Sequence, residues 1–257
     1  MRTDTQTFWT RLGPILFIGV LLVIWQIAVD RHPGQLLPGP LGVARGMGDL
    51  LGHGLLAKYI VASLFRVTWG FLLAVVTAIP LGLIIGWNYR ADLALNPLIQ
   101  ILRPISPLAW IPLAILWFGI GDSAAIFLIY VGCFFPLLVS AISAVHGVPD
   151  LYVNVGRNFG LSTPAFLYRV VYPAVMPQLL TGARIALGIA WLVVVAAEMI
   201  AVSSGLGFLI IDARNAGNRY DLVVAAMVVI GVIGLLLDWG MRSLEKLQWL
   251  RWGFSEN

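Results

Sequence analysis

Six apolar runs separated by short polar islands set the pattern of this chain: Pro14–Val29, Tyr59–Trp87, Arg103–Gly121, Ser123–Val145, Pro177–Val202 and Leu222–Leu244. A helix needs about 20 mostly apolar residues to cross a bilayer. The pattern therefore predicts an all-α membrane protein with about six transmembrane helices. It also divides the chain into three parts. Residues 1–58 carry the first span and an amphipathic piece near Val43–Leu56, expected to lie along the interface. Residues 59–242 form a transmembrane core, and 243–257 a charged tail.

The second run places Gly70, Ala74, Ala78, Gly82 and Gly86 four residues apart. Small residues at that spacing share one helical stripe and let another backbone approach closely, which is packing and not chemistry. The third run holds three prolines within nine residues, Pro104, Pro107 and Pro112. Prolines at membrane depth free backbone carbonyls, so this run is either a kinked helix or a broken one beside a pathway. Pro136 predicts a kink in the fourth run. The loop Ser203–Asp221 carries an apolar stretch of about seven residues, too short to span, which is expected to tuck back as a re-entrant plug or gate.

The island between the fourth and fifth runs is the most ordered of the polar stretches. Asp150 follows Pro149 and can cap a short helix, and Gly160 stands where a helix ends in the left-handed conformation. Thr163-Pro164 is a cap followed by the proline favoured at the first helical position, so a second helix is expected to about Val171, closed by Pro173. Leu151, Val155 and Phe159 recur every four residues and share a face. Two capped helices of this length suit a docking element better than a plain connector.

Composition agrees with a bilayer. Hydrophobic residues make up 60% of the 257, charged residues 11%, and the mean hydropathy is +0.93; soluble domains carry about 25% charge. The net charge of +4 is dispersed and excludes a nucleic-acid partner. A single cysteine, Cys133, allows no intrachain disulfide. The first apolar run lacks an Ala-x-Ala cleavage site and reads as a span, not a removed signal peptide. Arg2, Arg11, Arg90, Arg103, Arg157, Arg169, Arg242, Lys246 and Arg251 would lie inside, against Arg31, Arg45, Lys58, Arg214 and Arg219 outside. That asymmetry puts both termini and the two-helix island in the cytoplasm.

Little in the chain is catalytic. There is no phosphate-binding Gly-x-x-x-x-Gly-Lys-[Ser/Thr] loop, and His32, His53 and His146 have no metal-ligand spacing. No Ser/His/Asp set converges at one depth. In the fifth run Arg184, Gly188, Trp191, Val195 and Glu198 share a helical face, with Gly182, Ala186 and Ala190 opposite. Arg184 and Glu198 are about 21 Å apart along a helix and cannot pair with each other. Charges inside a bilayer face a cavity or a partner. The face therefore lines a translocation path, with Ser106 and Trp110 of the proline-rich run as further candidates, or else the two charges are structural anchors at opposite interfaces. Asp238 and Arg242 are four apart and read as a structural ion pair.

The island also resembles a known loop. Permeases of ATP-binding-cassette (ABC) importers carry Glu-Ala-Ala, three residues, Gly, nine residues, then Ile-x-Leu-Pro. Here Asn154-Val155-Gly156 occupies the Glu-Ala-Ala position, Gly160 the glycine, and Val170 to Pro173 the end. Tyr172 replaces the leucine, and the acid is absent. Arg103–Gly121, Thr181–Ile200 and Gly205–Gly217 are similar to permeases of nitrate, bicarbonate, taurine and aliphatic-sulfonate importers. The resemblance spans about Tyr59–Arg242. It implies a type I ABC importer permease fold with a cytoplasmic coupling helix, in a multi-pass protein of the bacterial inner membrane. It implies coupling through Leu151, Asn154, Val155, Gly156, Arg157, Phe159, Gly160 and Pro173. It implies as partners a second permease copy, two cytoplasmic ATPase subunits holding the ATP and Mg, and a periplasmic or lipid-anchored substrate-binding protein, with lipid around the spans. This chain itself would bind no cofactor or metal and would not be an enzyme. A secondary transporter would show an inverted repeat with broken helices in both halves, and only the third run is irregular. A membrane enzyme would cluster Asp, His or Glu at one depth.

Overall fold

The computed structural model describes residues 4–31, 37–52, 54–149, 151–152, 158–159, 165, 167–215 and 217–245. Among them there is no strand. The helices are α1 (Asp4–Asp30), α2 (Pro40–Gly52), α3 (Leu55–Trp87), α4 (Tyr89–Leu102), α5 (Ile111–Phe118), α6 (Asp122–His146), α7 (Tyr172–Ala201), α8 (Leu206–Asn215) and α9 (Tyr220–Glu245). A 3-10 turn, Pro107–Trp110, leads into α5, and a π turn, Leu167–Val171, leads into α7.

Four of these are long and apolar enough to cross a membrane: α3, α6, α9, and the continuous Tyr168–Ala201 formed by π turn and α7. Two further segments, Tyr89–Leu102 and Pro107–Phe118, make a fifth span if taken together, bent by 83°. A shorter apolar stretch, Leu16–Asp30, belongs to α1. Four long spans, the bent pair and the shorter apolar stretch of α1 stand where about six transmembrane helices are expected.

Two expectations are corrected. The third span does not begin at Arg103. An additional helix, α4, precedes it, capped by Asn88, whose Oδ1 accepts from the amides of Arg90 and Ala91 at 3.1 and 3.3 Å. The break falls at residues 103–106, where Pro104 inside it and Pro107 directly after it lack amide donors. Ser106 restarts the chain by accepting from the Leu108 amide at 3.3 Å. Pro173, second, closes no helix, and the fifth span starts before Pro177. The π turn before Pro173 widens the ladder where the proline lacks a donor and its ring would meet a carbonyl one turn back, so the helix continues. Asp150, Thr163 and Pro164 lie outside the described residues.

The chain divides into two compact units, Met1–Lys58 with Leu209–Ile230, and Tyr59–Phe208 with Gly231–Asn257. In the first, α2 buries Val43, Gly46 and Leu50, one face of the predicted amphipathic piece. A Cβ on Gly46 would stand 3.2 Å from the Asp221 backbone. Arg219 donates to Asp221 and to Asp49 at 2.7 and 2.9 Å. Asp221 first and Asp49 after it push the Arg219 guanidinium further up, so it stays charged.

In the second unit the small-residue stripe packs α3 along α6. Ala74 and Ala78 are fully buried, and a Cβ on Gly70, Gly82 or Gly86 would meet Ile129, Ala141 or Ile142 at 3.0 Å or less. Opposite, α6 packs along α7, where a Cβ on Gly182 would strike Ser140 and the Cys133 thiol donates to the Ala186 carbonyl at 3.3 Å. The face Gly182, Ala186, Ala190 is buried, as the spacing predicts. A core of Ala141, Ala144, Val145, Val171, Val175 and Leu179 closes the end of this pair nearest the island.

Candidate functional site

The strongest polar constellation of the second unit is buried and joins four elements. Arg66 of α3 is 2% exposed and Glu198 of α7 is 0% exposed. The Arg66 Nη1 donates to Glu198 Oε1 at 2.6 Å and to the Ser204 carbonyl at 2.8 Å. Its Nη2 donates to Ser204 Oγ at 2.6 Å and lies 2.7 Å from Asp122 Oδ1, and its Nε reaches the same oxygen at 2.8 Å. Four hydrogen bonds and the Nη2–Asp122 ion pair thus engage all three nitrogens of the guanidinium. The other carboxylate oxygen, Glu198 Oε2, accepts from Ser63 Oγ at 2.8 Å and from the Gly207 amide at 3.0 Å. Ser63 Oγ in turn accepts from the Leu206 amide at 3.0 Å.

Local chemistry explains this arrangement. Leu206 and Gly207 begin α8, and the first amides of a helix have no partner within it. Glu198 and Ser63 supply acceptors from two other helices, so α8 is capped from outside its own chain segment. The carboxylate also meets the positive end of the α8 dipole. Close approach requires glycine twice. Gly205 has φ +105° and its Cβ would enter the Glu198 carboxylate; a Cβ on Gly207 would enter the Val195 carbonyl. A further bond, from the Gly121 amide to the Ala201 carbonyl at 2.9 Å, ties the start of α6 to the end of α7.

A second ion cluster lies toward the other end of α7. Arg184 Nε donates to Asp238 Oδ1 at 2.7 Å, and its Nη1 lies 3.5 Å from Glu245 Oε2. Arg242 Nε donates to Asp238 Oδ2 at 2.9 Å, the ion pair expected from their spacing. The predicted face of α7 is therefore shared out. Arg184 turns to α9, Trp191 is 6% exposed with its ring 3.2 Å from a Cβ built on Gly234, and Glu198 turns to Arg66. Gly188 faces open space. Ser106 is exposed, and Trp110 is half-buried with its indole N–H lacking an acceptor among the described residues.

Of the coupling residues, Leu151 and Phe159 are 67% and 79% exposed, and Pro173 sits half-buried at the start of α7. Asn154, Val155, Gly156, Arg157 and Gly160 lie outside the described residues. Beside the island's exit, an apolar groove of about 550 Å³ runs between the end of α3 and the start of α7. Tyr168 and Tyr172 stack along it with ring centroids 6.2 Å apart. No group of three His, Cys, Asp or Glu able to hold a metal occurs among the described residues.

Sequence reasoning missed Arg66, Asp122, Ser63 and Ser204. A signal was present: Arg66 stands well inside the second apolar run and Glu198 inside the fifth, and intramembrane charges seek one another.

Comparison with known proteins adds the following. The family model of the binding-protein-dependent transport system inner membrane component matches residues 78–249. A putative ABC transporter permease protein of Methanocaldococcus jannaschii is 46% identical over 230 residues, 87% of this chain and 86% of that one. A nitrate import permease protein of Synechocystis is 37% identical over 245 residues, 92% of this chain and 88% of that one. A chain of the MetNI methionine ABC transporter, solved in inward-facing conformations, superimposes with a TM-score of 0.66 at 18% identity. That match covers 74% of this chain and 94% of the other, and it identifies the fold as that of type I importer permeases.

Proposed function

This chain belongs to the family of binding-protein-dependent transport system inner membrane components, the permease subunits of ABC importers, and on that premise we propose how it works. Two copies enclose one path for a small anion or zwitterion, of the nitrate, bicarbonate, taurine or sulfonate class. A binding protein delivers the substrate, and two separate ATPase subunits, which hold ATP and Mg, drive its import. Both termini lie in the cytoplasm, as the Lys and Arg asymmetry favours.

The observation that carries ATPase coupling is Phe159, an aromatic side chain 79% exposed on a polar connection between two spans. Exposed aromatic anchors are what a partner's cleft buries. Leu151, 67% exposed, takes the same role in this reading, and Asn154, Val155, Gly156, Arg157 and Gly160 belong to the same coupling segment. The substrate class is supported by the nitrate import of the Synechocystis relative. In this reading Gly188, Ser106 and Trp110 face the path, with Trp191 behind Gly188. Arg184 and Glu198 hold that wall in place through their ion clusters.

Phe159→Asp tests coupling. In the complex purified with its ATPase, the variant should lose the ATPase, or lose substrate-stimulated hydrolysis, while the permease keeps its yield and melting temperature. Retention of both the ATPase and the stimulated hydrolysis would reject the coupling role.

A further inference from the structure

Residues 107–118, the 3-10 turn and α5, are held differently from the helices around them. Within this segment Ala114 alone is buried, whereas α6 buries twelve of its 25 residues. Few buried contacts mark a segment that opens at low cost. The neighbouring ends of α3, α6 and α7 are instead tied by buried charge. Arg66 donates to Glu198 and Asp122, and the Gly121 amide donates to the Ala201 carbonyl at 2.9 Å. That clamp reaches Gly121 and stops there.

The segment has a joint on either side. Toward α4 lies the break at 103–106, after which the Pro107 ring rests on α6, 3.2 Å from where a Cβ on Gly132 would stand. Toward α6 lie Gly119 and Ile120. Gly119 ends α5 at φ +74° with nothing within 4 Å of a Cβ built on it, and Ile120 is 75% exposed. A glycine at positive φ takes up backbone rotation that other residues resist, and hinges are a few such residues at the ends of elements.

There is also room for the segment to move. Beside Phe118 lies a cavity of about 380 Å³, walled by Leu73 and Thr77 of α3 and by Ser123, Phe127 and Tyr130 of α6. A cavity of roughly 150 Å³ already holds a benzene ring. Phe118 leans on Phe127 with ring centroids 5.2 Å apart and is 50% exposed. Within the segment, the Trp110 indole N–H is buried without an acceptor among the described residues. A buried donor left unpaired favours any arrangement that satisfies it.

We propose that residues 107–118 are a gate segment with two positions. It tilts on Pro107, the Gly119–Ile120 joint yields, and Phe118 passes into the cavity while the clamped ends of α3, α6 and α7 stay together. Trp110 moves with the segment, so the path wall that carries it shifts during transport. The purpose of the gate rests on the transport reading. The motion itself belongs to the joints and the cavity of this chain.

The test uses the permease complex with its ATPase, carrying Phe118→Cys and Thr77→Cys on a Cys133→Ala background, and a short bifunctional thiol reagent. During Mg-ATP turnover the pair should cross-link about ten-fold faster than without nucleotide, as a population shift toward the second position requires. Gly119→Ala, which stiffens the joint and touches nothing else, should slow the cross-link with or without nucleotide. Equal rates with and without nucleotide, in a complex that hydrolyses ATP, would overturn the gate. A complex that hydrolyses no ATP would instead reject the coupling reading. The gate is then decided by Gly119→Ala without nucleotide: a slower cross-link upholds it and an unchanged one overturns it.

Discussion

Arg66 shows how a single residue can organise a site that its own neighbours do not announce. Its guanidinium is engaged at all three nitrogens by Glu198, Asp122 and Ser204, a structural use of the charge and not a substrate contact. Removing one partner from a buried charge pair costs about 3–5 kcal/mol, because the other is left unpaired in a medium that cannot solvate it. Arg66→Met should therefore lower the melting temperature in detergent, followed by tryptophan fluorescence, by well over ten degrees or abolish expression. Arg66→Met/Glu198→Met should recover part of the loss, as coupled neighbours do. Equal damage from single and double variants would mean that the pair is not the coupled unit. Gly205→Ala tests the same corner from the backbone. With φ at +105° and the Glu198 carboxylate where its Cβ would sit, the variant should lose at least about 1 kcal/mol and melt earlier, whereas Gly188→Ala, facing open space, should melt as wild type.

Helices were legible wherever one rule dominated. The stripe Gly70, Ala74, Ala78, Gly82, Gly86 gave a packing face, and it packs on α6 as small residues at four-residue spacing must. Ala78→Leu should wedge α3 from α6 and reduce the melting temperature, because Ala78 is fully buried. Leu at the exposed Val76 should leave it unchanged. The proline-rich run was legible as irregular but not as broken, since the choice between kink and break depends on what surrounds the freed carbonyls. α4 was missed because Tyr89–Leu102 mixes Arg90, Asp92, Asn96 and Pro97 into a weakly apolar stretch. Pro173 misled because a helix stop and a π turn look alike from the residue types alone. The Arg66 cluster was illegible for a further reason: the acceptors of Arg66 stand 56 to 138 positions from it in sequence, so no local period connects them to it.

At the scale of the whole molecule the apolar surface is the main fact. In the first unit Phe17 and Ile24, and in the second Val76, Leu116, Leu192 and Leu235, are each at least 57% exposed, so each unit carries apolar surface that hydrocarbon or another apolar chain would cover. If two copies share one path, light scattering of the purified complex should give two permease chains per particle. One chain per particle with full uptake would reject the pairing. Fold and family were readable from apolar runs and loop spacing, because the bilayer imposes length and composition on every span. The substrate was not, because no side chain on the α7 face is free of a protein partner and still points to a defined cavity.

The lone thiol of this chain sits where two spans meet. Cys133 is 0% exposed on α6, against the Ala186 carbonyl of α7, and no other cysteine exists to confuse it. A maleimide dye can reach that sulfur only when α6 and α7 part. Its labelling rate is therefore a clock for separation of the two helices, readable in the native chain without engineering. Should transport proceed by rigid tilting of α6 and α7 as one body, turnover will leave that clock unchanged. Should the two helices slide past each other, labelling will quicken with each cycle, and the dye will count the motion.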